Sequence, residues 1–249
     1  MLSFFRKVRK NLSESNKPWT YLRYAVGEIL LIVVGILLAL YLNNLNEKKK
    51  TRQEQIKVLR ELTSNLNNTM EAFKRTVNME KAYLAFNEEI IDHLDRKLPY
   101  APELDMAFGT YYWNISSNPV TGAYDHLKSK GFDLIENDSL RKEISYLFES
   151  EFVMLREENQ FWSNSFQQNI SYPYHVKHFR KYYPEDTGNG SYEYAKPFDY
   201  DALMQDPYFL SINTEIISNR KWNINSLENL MVKITHLKSQ ISKELNQLE

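Results

Sequence analysis

The stretch 21–42, YLRYAVGEILLIVVGILLALYL, constrains this chain more than any other, because its apolar composition decides where the remaining residues must live. Between residues 25 and 42 the only charged side chain is Glu28. As a helix rising about 1.5 Å per residue, 22–42 would be roughly 31 Å long, which matches the hydrocarbon core of a bilayer. The stretch is expected to be a retained transmembrane helix. A cleaved signal peptide fits less well, since roughly 24 residues precede the apolar run and no small-x-small cleavage site follows it in LYLNNLNEK.

The 249 residues suffice for such an anchor and one further domain, and 25% charged with 43% hydrophobic residues is the balance of a globular chain. A net charge of −1 argues against a nucleic-acid partner, which calls for a concentrated excess of Lys and Arg. The absence of Cys removes disulfide and thiolate chemistry together. With only 7 Gly and 8 Pro, an all-helical chain is favoured over a turn-rich sheet protein.

Four parts follow along the chain. In 1–20, Leu2, Phe4, Phe5, Val8 and Leu12 share one helical face, and Arg6, Lys7, Arg9 and Lys10 surround it. The segment is either an interfacial helix on anionic lipid or a basic tail that orients the anchor. Lys and Arg flank 21–42 equally on both sides, so loop charge does not set the orientation. The amphipathic N-terminus favours an N-inside arrangement, with the C-terminal domain translocated. Within the anchor, Glu28, Gly35 and Ala39 fall on one stripe, where small residues let helices approach and a carboxyl group meets a partner instead of lipid. The stripe predicts self-association; the alternative is a Glu28 that snorkels and an incidental Gly35.

Residues 43–55 are nearly all polar and are expected to form a juxtamembrane stalk, and 56–249 an antiparallel helical bundle. From 44 to 97 there is no Gly or Pro, and Ile56, Leu59, Leu66, Met70, Phe73, Val77, Leu84, Ile91, Leu94 and Leu98 keep four-three spacing, predicting one long, partly coiled-coil-like helix. Thr63, Glu80 and Asn87 interrupt that seam. After the break at 99–102, Pro119 is expected to open a short helix that closes at Gly131. A longer helix starts at the 137–139 cap, carries Leu140, Ile144, Leu147, Phe152, Leu155, Trp162, Phe166 and Ile170, and is expected to end before Pro173. A final helix begins at Asp206-Pro207 with Leu210, Ile217, Ile224, Leu227, Met231, Ile234, Ile241 and Leu245 in heptad-like spacing, and a bend is expected in 219–225.

Residues 171–205 show no helical period and contain seven Tyr and three Pro, predicting a long irregular loop. Such a loop either packs on the bundle or binds a partner; Tyr182, Tyr183, Tyr192 and Tyr194 are the candidate contact residues, because tyrosine offers large amphipathic area at small entropic cost.

Two stretches, FFRKVRKNL with YLRYAVGEILLIVVGILLALYLNNLNE, and GAYDHLKSKGFDLIENDSLRKEISYLFE, together resemble a family of uncharacterised single-span membrane proteins common in Bacteroidota, catalogued as a domain of unknown function. The resemblance implies a bacterial membrane protein and lends no activity or catalytic residues. It does not reach the tyrosine-rich loop.

The residues themselves offer little chemistry. His175 and His178 lack nearby carboxylates, clusters such as Glu157 and Glu158 diverge around a helix, and no strand-turn-helix elbow positions a nucleophile. No cofactor, metal or enzymatic activity is expected. The primary expectation is a membrane-anchored interaction module that binds its own copies and a membrane or periplasmic protein partner. The alternative is a ligand-sensing bundle whose aromatics, such as Trp113 and Trp162, line a pocket between helices and which signals through a partner.

Overall fold

The computed structural model describes residues 18–184 and 194–249. Within them the fold is all-α apart from one two-stranded hairpin. The chain divides into two compact units, Met1–Gln55 and Ile56–Glu249.

Helix α1 spans Pro18–Asp95. Its end is closed by backbone geometry: Lys97 takes a left-handed φ of 53°, its N–H bonds the Leu94 carbonyl at 3.0 Å, and the Leu98 N–H bonds the His93 carbonyl at 3.1 Å. This is a Schellman closure with Lys where Gly is usual, and Pro99 follows at once. In the first unit the apolar side chains of α1 have no protein cover, from Val26 at 49% exposed through Leu31 at 70% to Leu42 at 56%. Part of the helix reaches a mean hydropathy of 2.6 and is long and apolar enough to cross a membrane.

In the second unit α1 lies against α8, Pro207–Leu248, and the ion pairs Arg60–Glu249, Lys81–Glu228 and Lys221–Glu88 descend one helix as they climb the other, so the two are antiparallel. The buried seam of α1 reads Leu59, Leu62, Leu66, Thr69, Phe73, Thr76, Glu80, Tyr83, Asn87, Ile90 and Leu94, an unbroken alternation of three and four. The seam of α8 does the same through Phe209, Asn213, Ile216, Arg220, Asn223, Leu227, Leu230, Ile234, Leu237, Ile241 and Glu244. The stripe expected from apolar residues alone is one residue off over part of each helix: Met70, Leu84 and Ile91 are only half-buried, and Ile216 is buried where Ile217 was expected. Polar residues on the seams mislead the apolar count. α8 is one helix throughout, 219–225 included.

Between these helices come a 3-10 turn at Pro102–Leu104, α2 at Asp105–Thr110, an irregular segment at 113–121, and α3 at Gly122–Lys130. Gly131 closes α3 at φ 98°, as its position after the last Lys suggests. Then one helical run continues through α4 (Asp138–Tyr146), a π turn (Leu147–Glu151), α5 (Phe152–Phe161), a second π stretch (Trp162–Ser171) and α6 (Tyr172–His178). Asn137 starts it by accepting hydrogen bonds from the Ser139 and Leu140 N–H groups, each at 3.2 Å. The expected stop before Pro173 is corrected: Pro173 sits in the first turn of α6, where the widened π register leaves its missing N–H without consequence.

The expected loop at 171–205 is also corrected. It holds α6, the antiparallel strands β1 (Phe179–Tyr182) and β2 (Tyr194–Pro197), and α7 (Tyr200–Met204). Four-residue strands are too short to show an alternation in sequence. Phe179 and Ala195 are the buried members of the hairpin, and they join Phe108, Tyr111, Tyr174 and Phe209 in one core. A second core gathers Leu59, Leu66, Phe73, Tyr124, Leu147, Phe152, Leu227 and Ile234.

Candidate functional site

In the first unit Glu28 is half-buried, and Gly35 and Ala39 are exposed on α1. A Cβ added at Gly35 would meet nothing within 4 Å. Arg6, Lys7, Arg9, Lys10 and Tyr192 lie outside the described residues.

The hairpin tyrosines divide. Tyr182 and Tyr194 face each other in register with ring centroids 5.8 Å apart, and the Tyr182 hydroxyl donates to Asp105 at 2.5 Å. Asp105 is fully buried, accepts a second hydrogen bond from the Tyr100 hydroxyl, and has the Lys196 ammonium at 3.8 Å. Burial first, then the Asp105 carboxylate, pushes the Tyr182 phenol up to about 12, so it remains a donor at ordinary pH. Tyr174 donates to Asp206 at 2.5 Å, and Tyr200 to the Leu98 carbonyl at 3.1 Å. These hydroxyls are satisfied inside the fold. Tyr183, 70% exposed, is the predicted contact residue that stays open to solvent.

The apparent flaws in the α1 seam prove to be its most organised part. Arg220 is 1% exposed, and each face of its guanidinium fork has a partner. Nε donates to Asn87 Oδ1 at 2.9 Å, Nη1 to Glu80 Oε2 at 2.5 Å, and Nη2 to the carbonyls of Trp113 at 2.7 Å and Tyr111 at 3.2 Å. Asn223 donates to Glu80 Oε1 at 2.8 Å and to the Ile115 carbonyl at 3.3 Å, while Asn87 donates to Asn213 at 3.0 Å. Burial draws the arginine pKa below its ordinary value, and Glu80 opposes that. A buried pair is tolerable only when its remaining donors and acceptors are matched; both Glu80 oxygens and all three Arg220 side-chain nitrogens have partners, while the neighbouring Asn223 Oδ1 has none.

This polar layer positions the segment 113–121. An irregular segment leaves carbonyls without helical partners; those of 113 and 115, and of 111 just before it, are taken by Arg220 and Asn223. Its other end is tied to α1, where Thr69 Oγ1 accepts from the Val120 N–H and Asn65 Oδ1 accepts from the Ala123 N–H, both at 2.9 Å.

Opposite this segment runs the α5 and π stretch, and between them lies a cleft in two parts. One cavity of about 340 Å³ is lined by Ser116, Asn118, Arg156, Asn159, Gln160 and Asn164 among others, with Phe148 and Phe152 also contributing. A second, wider one of about 760 Å³ is lined by Tyr83, Trp113, Tyr172, Gln167, Gln168 and Lys181 among others, and Ser116 lines both. The Asn114 amide donates to Ser163 Oγ at 2.8 Å and ties the two walls. Trp113 and Trp162 together line a small void beside Arg220, so the two expected pocket aromatics do meet between helices. Sequence reasoning missed Arg156, Asn159 and the amides around them, because polar residues on an amphipathic helix look like a solvated face; the π register, which re-aims them, has no sequence signal of its own.

His175 is buried at 1% exposed, neither ring nitrogen has a hydrogen-bond partner, and the ring stacks on Phe179 with centroids 5.1 Å apart. Burial, then the neighbouring Lys181 charge, depresses its pKa to about 3. His178 stacks on Tyr174 instead of turning toward His175. Among the described residues no cluster of His, Asp and Glu has metal-ligand spacing.

No curated protein and no solved structure matches the chain. A family model does, over residues 28–173, a span that takes in the apolar run, the segment 113–121 and the π-containing helix, and that stops before the hairpin. By that match, which covers more than half of its length, the chain belongs to DUF6090, a family of unknown function.

Proposed function

We propose that this chain is a membrane-anchored, non-enzymatic binding module of a bacterial inner membrane. Its N-terminus is cytoplasmic, its helical unit is periplasmic, and it associates with its own copies and a protein partner. The observation that carries this proposal is the run of apolar side chains on α1 from Val26 to Leu42, all exposed, for which lipid is the natural cover. Helices in lipid associate where small residues allow close approach, and Glu28, Gly35 and Ala39 supply such a stripe. A Cβ added at Gly35 meets nothing within 4 Å, so added bulk there bears first on a neighbouring helix. Cross-linking in native membranes tests it: Gly35→Ile is expected to lower oligomer yield severalfold while Leu37→Ile, off the stripe, leaves it unchanged. Equal yields for both variants would remove self-association through this stripe.

A second function, ligand sensing through a partner, is favoured by the cleft. Its Trp113 wall is hydrogen-bonded to Arg220, which is paired with Glu80 on α1, so a ligand that moves the wall acts on the same helix that carries the apolar run.

A further inference from the structure

We infer that the cleft between 113–121 and the π-containing helix binds an acidic glycan. The inference rests on the ligand-binding function just proposed and supplies its ligand class. The first cavity is rich in amides and hydroxyls, and the only charged side chain lining it is Arg156. No carboxylate lines either cavity among the described residues, and the second adds Lys181. Sugars present hydroxyls that each donate and accept, which a side-chain amide matches with one group of each kind. They also present C–H faces, for which Trp113 and Tyr172 offer rings in the second cavity. Arg156, which has no ion pair among the described residues, is the group to take a carboxylate by a two-pronged hydrogen bond.

Asn159 points to an occupant independently. It is 92% buried, lines the first cavity one turn from Arg156, and its Nδ2 has no hydrogen-bond partner. An occupant of the cavity that brings an oxygen to this NH2 would satisfy it. An extended peptide would instead require pockets for alternate side chains, and amides and hydroxyls dominate the lining here.

Titration calorimetry on the full chain in lipid nanodiscs tests this with three probes: hexagalacturonate, neutral maltohexaose and hexaglutamate. Saturable binding of hexagalacturonate is expected, with maltohexaose and hexaglutamate each about tenfold weaker or undetectable. Arg156→Ala, at an exposed position, is expected to weaken hexagalacturonate binding about tenfold. Asn159→Asp should also abolish it by setting a like charge beside the ligand; if that variant fails to fold, Gln160→Glu at an exposed position replaces it. Hexaglutamate binding as tightly as hexagalacturonate would make the cleft a peptide surface and overturn the proposal. Equal binding of all anions that vanishes at about 0.15 M salt would reduce it to general charge attraction. Silence with all three probes would reject the ligand class, and cross-linking at Gly35 and membrane fractionation would still decide the anchored-module proposal separately.

Discussion

At the scale of single residues, the buried Glu80–Arg220 pair and its four amide and carbonyl companions decide how the bundle is held. A core of this kind is stable only if complete, because removing one charge leaves the other desolvated and unmatched. Glu80→Gln preserves shape and removes the charge, so it is expected to cost about 3–5 kcal/mol in urea unfolding of the helical unit. A cost below about 1 kcal/mol would mean the pair is not closed in solution. His175 adds a pH dependence of definite sign. Its pKa is depressed from 6.5 to about 3 in the fold, so its contribution is fully present above about pH 6.5 and is lost as pH falls toward 3. Between pH 6.5 and about 5 that loss approaches about 2 kcal/mol. Stability measured against pH should therefore fall faster for the natural chain than for His175→Phe, and parallel curves would show that the imidazole is not buried neutral.

At the scale of elements, the physical reasons for what the sequence reveals are plain. Apolar content, with no Gly or Pro from 44 to 97 or from 208 to 249, makes most of α1 and α8 visible, and Asn137 and Gly131 mark a start and a stop by their own chemistry. The seams were displaced because Thr69, Thr76, Glu80, Asn87, Asn213 and Arg220 occupy core positions and do not count as apolar. Their hydrogen-bond partners lie far away in the chain, and a local period cannot show them. The hairpin was hidden for a different reason: its strands are short, and of the tyrosines read as a binding surface, Tyr182 instead reaches the buried Asp105 carboxylate while Tyr183 stays exposed. Of the two aromatics expected to line a pocket, Trp113 lines the cleft and Trp162 only the small void beside Arg220. The cleft's amide lining depends on a π register that no spacing rule predicts.

At the scale of the whole molecule, an exposed apolar run and a helical unit held by a buried polar layer belong to one chain, and the proposal that the run is an anchor is the claim to test. The natural sequence contains no Cys, so a single introduced thiol reports its own side of the membrane. Ser242 is exposed on α8, and Ser15 precedes the apolar run. In intact spheroplasts, Ser242→Cys should react with an impermeant maleimide while Ser15→Cys reacts only after the membrane is permeabilised. Equal labelling of both positions before permeabilisation would contradict a spanning helix, and the reverse order would invert the orientation.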